Sequence, residues 1–236
     1  ERDGATFHTG ALAGGDAVYD AAFRRAGMLR VGSLRELFEA VGTLSSGLRP
    51  KGDRLAILSN GAGAGLLAAD ALRHAGGRLA QLSAETLERV AQYTGRHNPV
   101  GEAVRLRGDA PSALYDEALT AILEDGGQDA VLVMHCPYAV ADGLGTARST
   151  AEAAGRRGRG APVLTCWLGE RAARDARRLF AARNIPTYQT PDESVRAFMQ
   201  LVDYRRNQDL LMQTPPALQP GLADRATAQG ILQQAV

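Results

Sequence analysis

The sequence predicts an α/β fold built on a parallel sheet covered on both faces. Three observations carry this. Continuous apolar runs, Leu55-Ala56-Ile57-Leu58, Ala130-Val131-Leu132-Val133-Met134 and Pro162-Val163-Leu164-Thr165-Cys166-Trp167, read as strands buried on both sides. Amphipathic helical stretches separate these runs, the alternation that parallel βαβ units require. A glycine-rich turn, Ser59-Asn60-Gly61-Ala62-Gly63-Ala64-Gly65, joins the first run to a helix. Residues 52–206 therefore hold a complete domain of this kind. Residues 1–48 are too short to fold alone and read as the back half of a second domain whose front is missing; residues 207–236, with Pro215-Pro216 and Pro220, read as a linker.

Taken in order, residues 1–13 form a Gly/Thr-rich loop. A helix over Asp16–Ala26 follows, with Val18, Ala21, Ala22 and Ala26 on one stripe, Arg24 and Arg25 in its last turn and Gly27 as its stop. Met28–Val31 reads as a short strand, and Ser33 with Glu36 as a capping box opening a helix to Leu44. Ser45–Asp53, with Pro50 and Gly52, is a connection. After the first buried strand the glycine turn opens a helix to His74, ended by Gly76-Gly77; Leu79–Leu82 is the next strand, and Ser83 caps a helix to Tyr93. Pro111 opens a helix to Glu124, and helices are expected near Gly145–Arg157 and Glu170–Arg183. Pro186–Tyr188 is a short strand. Thr190-Pro191-Asp192-Glu193 combines a capping box with proline at the first helical position and opens a helix to Arg206.

Composition narrows the chemistry. With 27 Lys+Arg against 26 Asp+Glu, no charge excess points to nucleic acid or an anionic membrane. The apolar runs fall short of the ~20 residues that span a bilayer, the first residues do not resemble a signal peptide, and a cytoplasmic protein is expected. Two cysteines, Cys136 and Cys166, supply neither a disulfide framework nor a zinc site, so no metal site is expected. Lys51 is the only lysine and follows Pro50 in a polar connection, which argues against Schiff-base chemistry and a P-loop lysine.

Two segments stand out. In the turn at Asn60, Gly61, Ala62 and Gly63, glycines permit close backbone approach, and the exposed N–H groups of a helix start attract an anion. The turn is not a dinucleotide fingerprint: the third glycine of G-x-G-x-x-G falls on Leu66, and the next strand ends at Gln81-Leu82 without an acidic residue for a ribose. From pattern alone it is equally a turn that only starts a helix. The second segment is His8-Thr9-Gly10, in a loop of small residues leading into a helix. Such a histidine can be a nucleophile, an acid or base, a ligand, or merely solvated. His135 and Cys136 end a buried strand at the usual ligand edge, but adjacent strand residues point to opposite faces and favour a structural role.

Together these segments resemble a known family. His8-Thr9-Gly10-Ala11-Leu12-Ala13-Gly14-Gly15-Asp16 and the helix after it resemble the active-site histidine loop of nucleoside-diphosphate-forming acyl-CoA synthetases, the superfamily of succinyl-CoA synthetase and ADP-forming acetyl-CoA synthetase. Leu55–Gly65 resembles the strand, turn and phosphate-facing helix of their second ligase domain, which is flavodoxin-like. The resemblance runs from about residue 5 to 206 and implies a half ligase domain in residues 1–48 followed by a full one in 52–206. It implies the reaction acid + CoA + ATP ⇌ acyl-CoA + ADP + phosphate, with His8 as phosphoryl carrier, Thr9 and Gly10 beside it, and Asn60, Gly61, Ala62 and Gly63 facing the phosphate. It further implies an upstream CoA-binding domain, a downstream ATP-grasp domain using ATP and Mg, a small carboxylic acid substrate, an oligomer, and a fragment inactive alone. Around Val202–Leu211 and Thr214-Pro215-Pro216 the chain looks like the linker of Pat-type protein lysine acetyltransferases, which carry a C-terminal GNAT domain. There the synthetase-like half is a regulatory acetyl-CoA-binding module. One departure is visible: after Asn98-Pro99-Val100 the family has Asp, whereas here Gly101-Glu102 follows, with extra residues before Gly108-Asp109-Ala110.

Overall fold

The computed structural model describes residues 15–94, 98–99, 101–156 and 160–213. The strands are β1 (Arg54–Ser59), β2 (Arg78–Leu79), β3 (Val104–Arg105), β4 (Ala130–His135), β5 (Val163–Trp167) and β6 (Thr187–Tyr188). The helices are α1 (Asp16–Arg25), α2 (Leu34–Ser45), α3 (Ala62–His74), α4 (Ala84–Thr94), α5 (Ser112–Asp125), α6 (Gly143–Arg156), α7 (Arg174–Ala182) and α8 (Pro191–Met212).

The strands form one parallel sheet in the order β2-β1-β4-β5-β6, with β3 also paired to β1. β2 pairs with the start of β1, Arg54 opposite Arg78, and β3 with its end, Ser59 opposite Arg105. The two short strands thus share one edge of β1, while β4 occupies the other. With β3 set aside, the order is the flavodoxin-like one, and the chain reverses direction across the sheet between β1 and β4.

The apolar runs fill both faces. Leu58, Val104, Val131, Val133 and Trp167 pack with α4–α7, while Leu55, Ile57, Leu132, Leu164 and Cys166 pack under α3 and α8. β1, β4 and β5 are buried throughout, apart from half-buried Arg54, as their unbroken hydrophobicity requires. At the amino ends, Asp129 accepts hydrogen bonds from the Arg54 backbone and guanidinium at 2.9–3.0 Å. Burial alone would raise this carboxyl; the Arg54 hydrogen bonds outweigh it and hold Asp129 below its usual value. Asp53 likewise joins Arg78 of β2 to Arg206 of α8.

All three capping expectations hold, Ser83 accepting from the Thr86 N–H at 3.2 Å. Ser33 accepts from the Glu36 N–H, and Thr190 from the Glu193 N–H. Five expectations change. The strand expected at Leu79–Leu82 is the two-residue β2, Arg78–Leu79, paired among the described residues only to the start of β1. Met28–Val31 forms no strand, because no neighbouring strand among the described residues offers it a ladder. β3 is a strand that periodicity did not reveal. α7 begins at Arg174 rather than Glu170, after Gly169 turns the chain at φ 88°. α8 continues past Arg206 to Met212, where Asn207 and Gln208 donate to the Met28 and Gly27 carbonyls. The first part of the assigned linker is therefore helix, docked on α1. Residues 15–48 lie along α8 through these bonds and the Arg196–Glu39 and Arg35–Glu193 ion pairs, and reach β6 through the Thr43–Tyr188 hydroxyl contact at 2.6 Å. Their other side leaves Val18, Leu34, Phe38 and Val41 exposed.

Candidate functional site

Helices α3, α5, α6 and α7 all begin at the carboxyl edge of the sheet, since each follows a strand of a parallel array. The crevice between β1 and β4 at this edge is where open α/β sheets bind ligands. β1 ends there in Ser59, whose hydroxyl accepts from the Gly61 N–H at 3.1 Å and donates to its carbonyl at 3.0 Å. Asn60 follows and is buried. Its amide nitrogen donates to the Cys136 carbonyl at 3.0 Å and the Gly108 carbonyl at 3.1 Å, and its oxygen accepts from the Cys136 N–H at 2.7 Å. One side chain thus ties together the loops after β1, β3 and β4. Both of its donor hydrogens are spent, so Asn60 holds the turn and has no donor left for a ligand.

The three glycines do different things, and none adopts a positive φ. A Cβ on Gly61 would lie 2.2 Å from Cys136 Sγ, a collision. A Cβ on Gly65 would touch Ala103 Cβ at 3.4 Å, which brings α3 close against the sheet. At Gly63 a Cβ meets nothing within 4 Å, and Ala62 and Gly63 are exposed. No side chain caps α3, whose N-cap is Gly61 itself. The helix therefore starts with open N–H groups, its positive dipole end and no side chain over Gly63, an arrangement suited to an anion.

Arg105 sits beside this helix start. Along β3, Val104 joins the core under α4–α7 and Ala103 the core under α3, so Arg105 alternates onto the α3 side. With Ala62 and Leu66 it lines a cavity of about 110 Å³, and its Nε is buried without a hydrogen-bond partner among the described residues. The signal for Arg105 was absent from the sequence because β3 has only two residues.

His135 and Cys136 are not a dyad. The His135 ring stacks on Trp167 at 5.3 Å, near Tyr115, while Cys136 faces Gly61. Burial pulls His135 down, against the pull of Asp142, and keeps it neutral; burial pushes the Cys136 thiol up and makes it a poor nucleophile at pH 7. Tyr138 lies over Gly108, whose Cβ would stand 2.6 Å from its ring, and is half exposed beside the turn. Asp109 is held below its usual value by the Arg107 guanidinium. Among the described residues no group of three His, Cys, Asp or Glu side chains is placed to hold a metal, and no helix is long and apolar enough to cross a membrane. His8, Thr9 and Gly10 lie outside the described residues.

The fold is a flavodoxin-like parallel sheet, and its first βα turn, at the switch point, lacks a dinucleotide fingerprint. Comparison with known proteins then shows what the chain is similar to. Residues 1–44, which include His8, match the succinyl-CoA ligase like flavodoxin domain. The chain is 30% identical over 205 residues to the ADP-forming acetate–CoA ligase I subunit alpha of Pyrococcus furiosus, covering 86% of this chain and 44% of that protein. It is 31% identical over 202 residues to the ADP-forming acetate–CoA ligase I of Archaeoglobus fulgidus, covering 86% and 28%. The dinucleotide-forming acetyl-coenzyme A synthetase 1 of Candidatus Korarchaeum cryptofilum, solved in complex with phosphate and ADP, superimposes with a TM-score of 0.82 at 27% identity over 92% of this chain and 47% of that one. The chain is homologous to the NDP-forming acyl-CoA synthetases and spans less than half the length of these relatives.

Proposed function

We propose that this chain is the ligase portion of an ADP-forming acyl-CoA synthetase, which joins a small carboxylic acid to CoA with conversion of ATP to ADP and phosphate. One observation carries the reading: the open, uncapped start of α3 at the switch point, in a chain whose homologues are ADP-forming acetate–CoA ligases. In this reading His8 is the phosphoryl carrier, with Thr9 and Gly10 beside it. A neutral imidazole, ordinarily of pKa about 6.5, attacks phosphorus; the P–N bond forms as the P–O bond to the donor breaks. The N–H groups of Ala62 and Gly63 and the dipole of α3 face the transferred phosphate, and Asn60 fixes the turn that presents them. A fixed dipole suits this task, because a lysine amine there would be a competing nucleophile.

The resemblance assigns ATP and Mg to a downstream ATP-grasp domain and CoA to an upstream domain, as partners in one chain or as subunits. The residues of this chain then hold and pass the phosphoryl group, and residues 1–236 alone form no thioester. The exposed apolar face of α1 and α2 fits the unfinished core of a first ligase domain. The test uses the intact protein that carries this chain. ATP should place an acid-labile, base-stable phosphate on His8, and His8→Ala should abolish it together with thioester formation. Acetyl-CoA binding without any label, in a protein that carries a GNAT domain, would instead favour a regulatory module of the Pat type. Labelling that survives His8→Ala would refute the assignment.

A further inference from the structure

We infer that Phe7 is a positioning residue for the phosphoryl carrier: its ring seats on Leu66 and Leu67, on the exposed face of α3, and so holds His8 near the first turns of that helix. The inference rests on the proposed function and names what would hold its carrier in place. The seat is an apolar surface that the fold leaves uncovered. α3 buries Gly65, Ala68, Ala69 and Leu72 and turns Ala62, Gly63, Leu66, Leu67 and Asp70 outward. Leu66 is 61% and Leu67 63% exposed, whereas no leucine, isoleucine, valine or methionine among the described residues of α4–α7 is exposed. Residues three and four apart are neighbours on a helix, and helical side chains lean toward its start. Leu66 and Leu67 therefore flank the bare surface at Gly63, where even a Cβ would meet nothing within 4 Å. The one charge pair beside them on α3, Asp70 with Arg73 at 2.7 Å, is satisfied within itself.

The occupant comes from the same chain. Residues 1–14 lie outside the described residues, and Phe7 is the one phenylalanine, tyrosine or tryptophan among them, directly before His8. The place where this segment joins the structure sets its reach. Asp16, at the start of α1, accepts from the Arg30 guanidinium at 3.1 Å, and Arg30 shares a cavity with Ala71, His74 and Ala75 at the end of α3. From Ala71 back to Leu67 is about one helical turn, roughly 6 Å. A stretch from Phe7 to Gly15 extends to about 30 Å, so the segment reaches this face with length to spare, and Gly10, Gly14 and Gly15 let it turn. Consecutive Cα atoms are about 3.8 Å apart, so a ring seated on Leu66 and Leu67 puts His8 within about one turn of Gly63. Burial of a phenylalanine ring on two leucines also gives an otherwise small-residue loop an apolar anchor.

Two measurements on the intact protein that carries this chain test the seat, with thermal melting as a check on folding. In the first, Phe7→Cys is combined with Leu67→Cys and treated with diamide, which is reduced as the two thiols join in one disulfide. The bond should form in most molecules. It should not form when Phe7→Cys is combined with Arg178→Cys, on the exposed side of α7 across the sheet. In the second, ATP-dependent phosphate on His8 is followed. Phe7→Ala and Leu67→Ala should each lower it about fivefold at an unchanged melting temperature, the double variant should fall no further, and Phe7→Leu should recover most of the loss. Full labelling in Phe7→Ala, with no disulfide to position 67, overturns this inference and leaves His8 as the carrier. Losses that multiply in the double variant also overturn it, because another domain then covers Leu66 and Leu67. If the disulfide forms but the parent takes no phosphate on His8, the proposed function falls while Phe7 keeps its seat.

Discussion

Residues 52–213 and residues 15–48 obey the same local rules and reach different ends. In the first region every long strand has a neighbour on each side, and both sheet faces are covered by helices, so the apolar runs are consumed. In the second, helices α1 and α2 form where the sequence places them, cap included, but α1 buries no residue and α2 buries only Ala40 and Thr43. Phe38 and Leu34 stay 75% exposed, a pair of large apolar side chains on one face of α2. Local propensity and capping make a helix. A core also needs paired strands, and among the described residues Met28–Val31 finds none to pair with.

Substitutions in the two regions should have unequal effects. Ile57→Ala, in the fully buried middle of β1, should cost about 2–5 kcal/mol in chemical unfolding. A smaller loss would mean that the sheet is looser than its packing. Gly61→Ala should cost about 1–3 kcal/mol, because the new methyl group collides with Cys136 Sγ. Adding Cys136→Ala should return part of that loss; if it returns none, the collision is not the cause. Phe38→Ser should change the stability of residues 1–236 by less than about 0.5 kcal/mol. The same substitution should cost more in a longer chain that includes the preceding ligase-domain residues. Equal, negligible effects in both would leave that face without the expected occupant.

Much of this contrast was legible in the sequence. β1, β4 and β5 announce themselves because strands buried on both faces must be apolar at every position, and the Thr190–Glu193 box fixes the start of α8. β3 was not legible: Val104-Arg105 is too short for any period and is a strand only through β1. The strand expected at Met28–Val31 failed for the complementary reason, having the residues but no partner strand among the described residues. At the site, the glycines marked the turn but not their separate duties. Gly61 answers to Cys136 and Gly65 to Ala103, and Asn60 to Cys136 and Gly108, contacts between residues far apart in the chain. Side chains brought together by β3, Arg105 among them, share that invisibility. His8, Thr9 and Gly10 rest on resemblance, and on their place within the matched residues 1–44.

The central claim is that the α3 start holds a phosphoryl group carried by His8. The most direct measurement compares steady-state phosphohistidine in the intact protein with that in its Gly63→Val variant, at equal thermal stability. Gly63 opens on free space, so valine costs the fold little beyond the lower helix propensity of a β-branched residue, yet it stands where the phosphate would approach. His8 phosphate should fall at least tenfold with an unchanged melting temperature. Full labelling of His8 in the folded valine variant would contradict it.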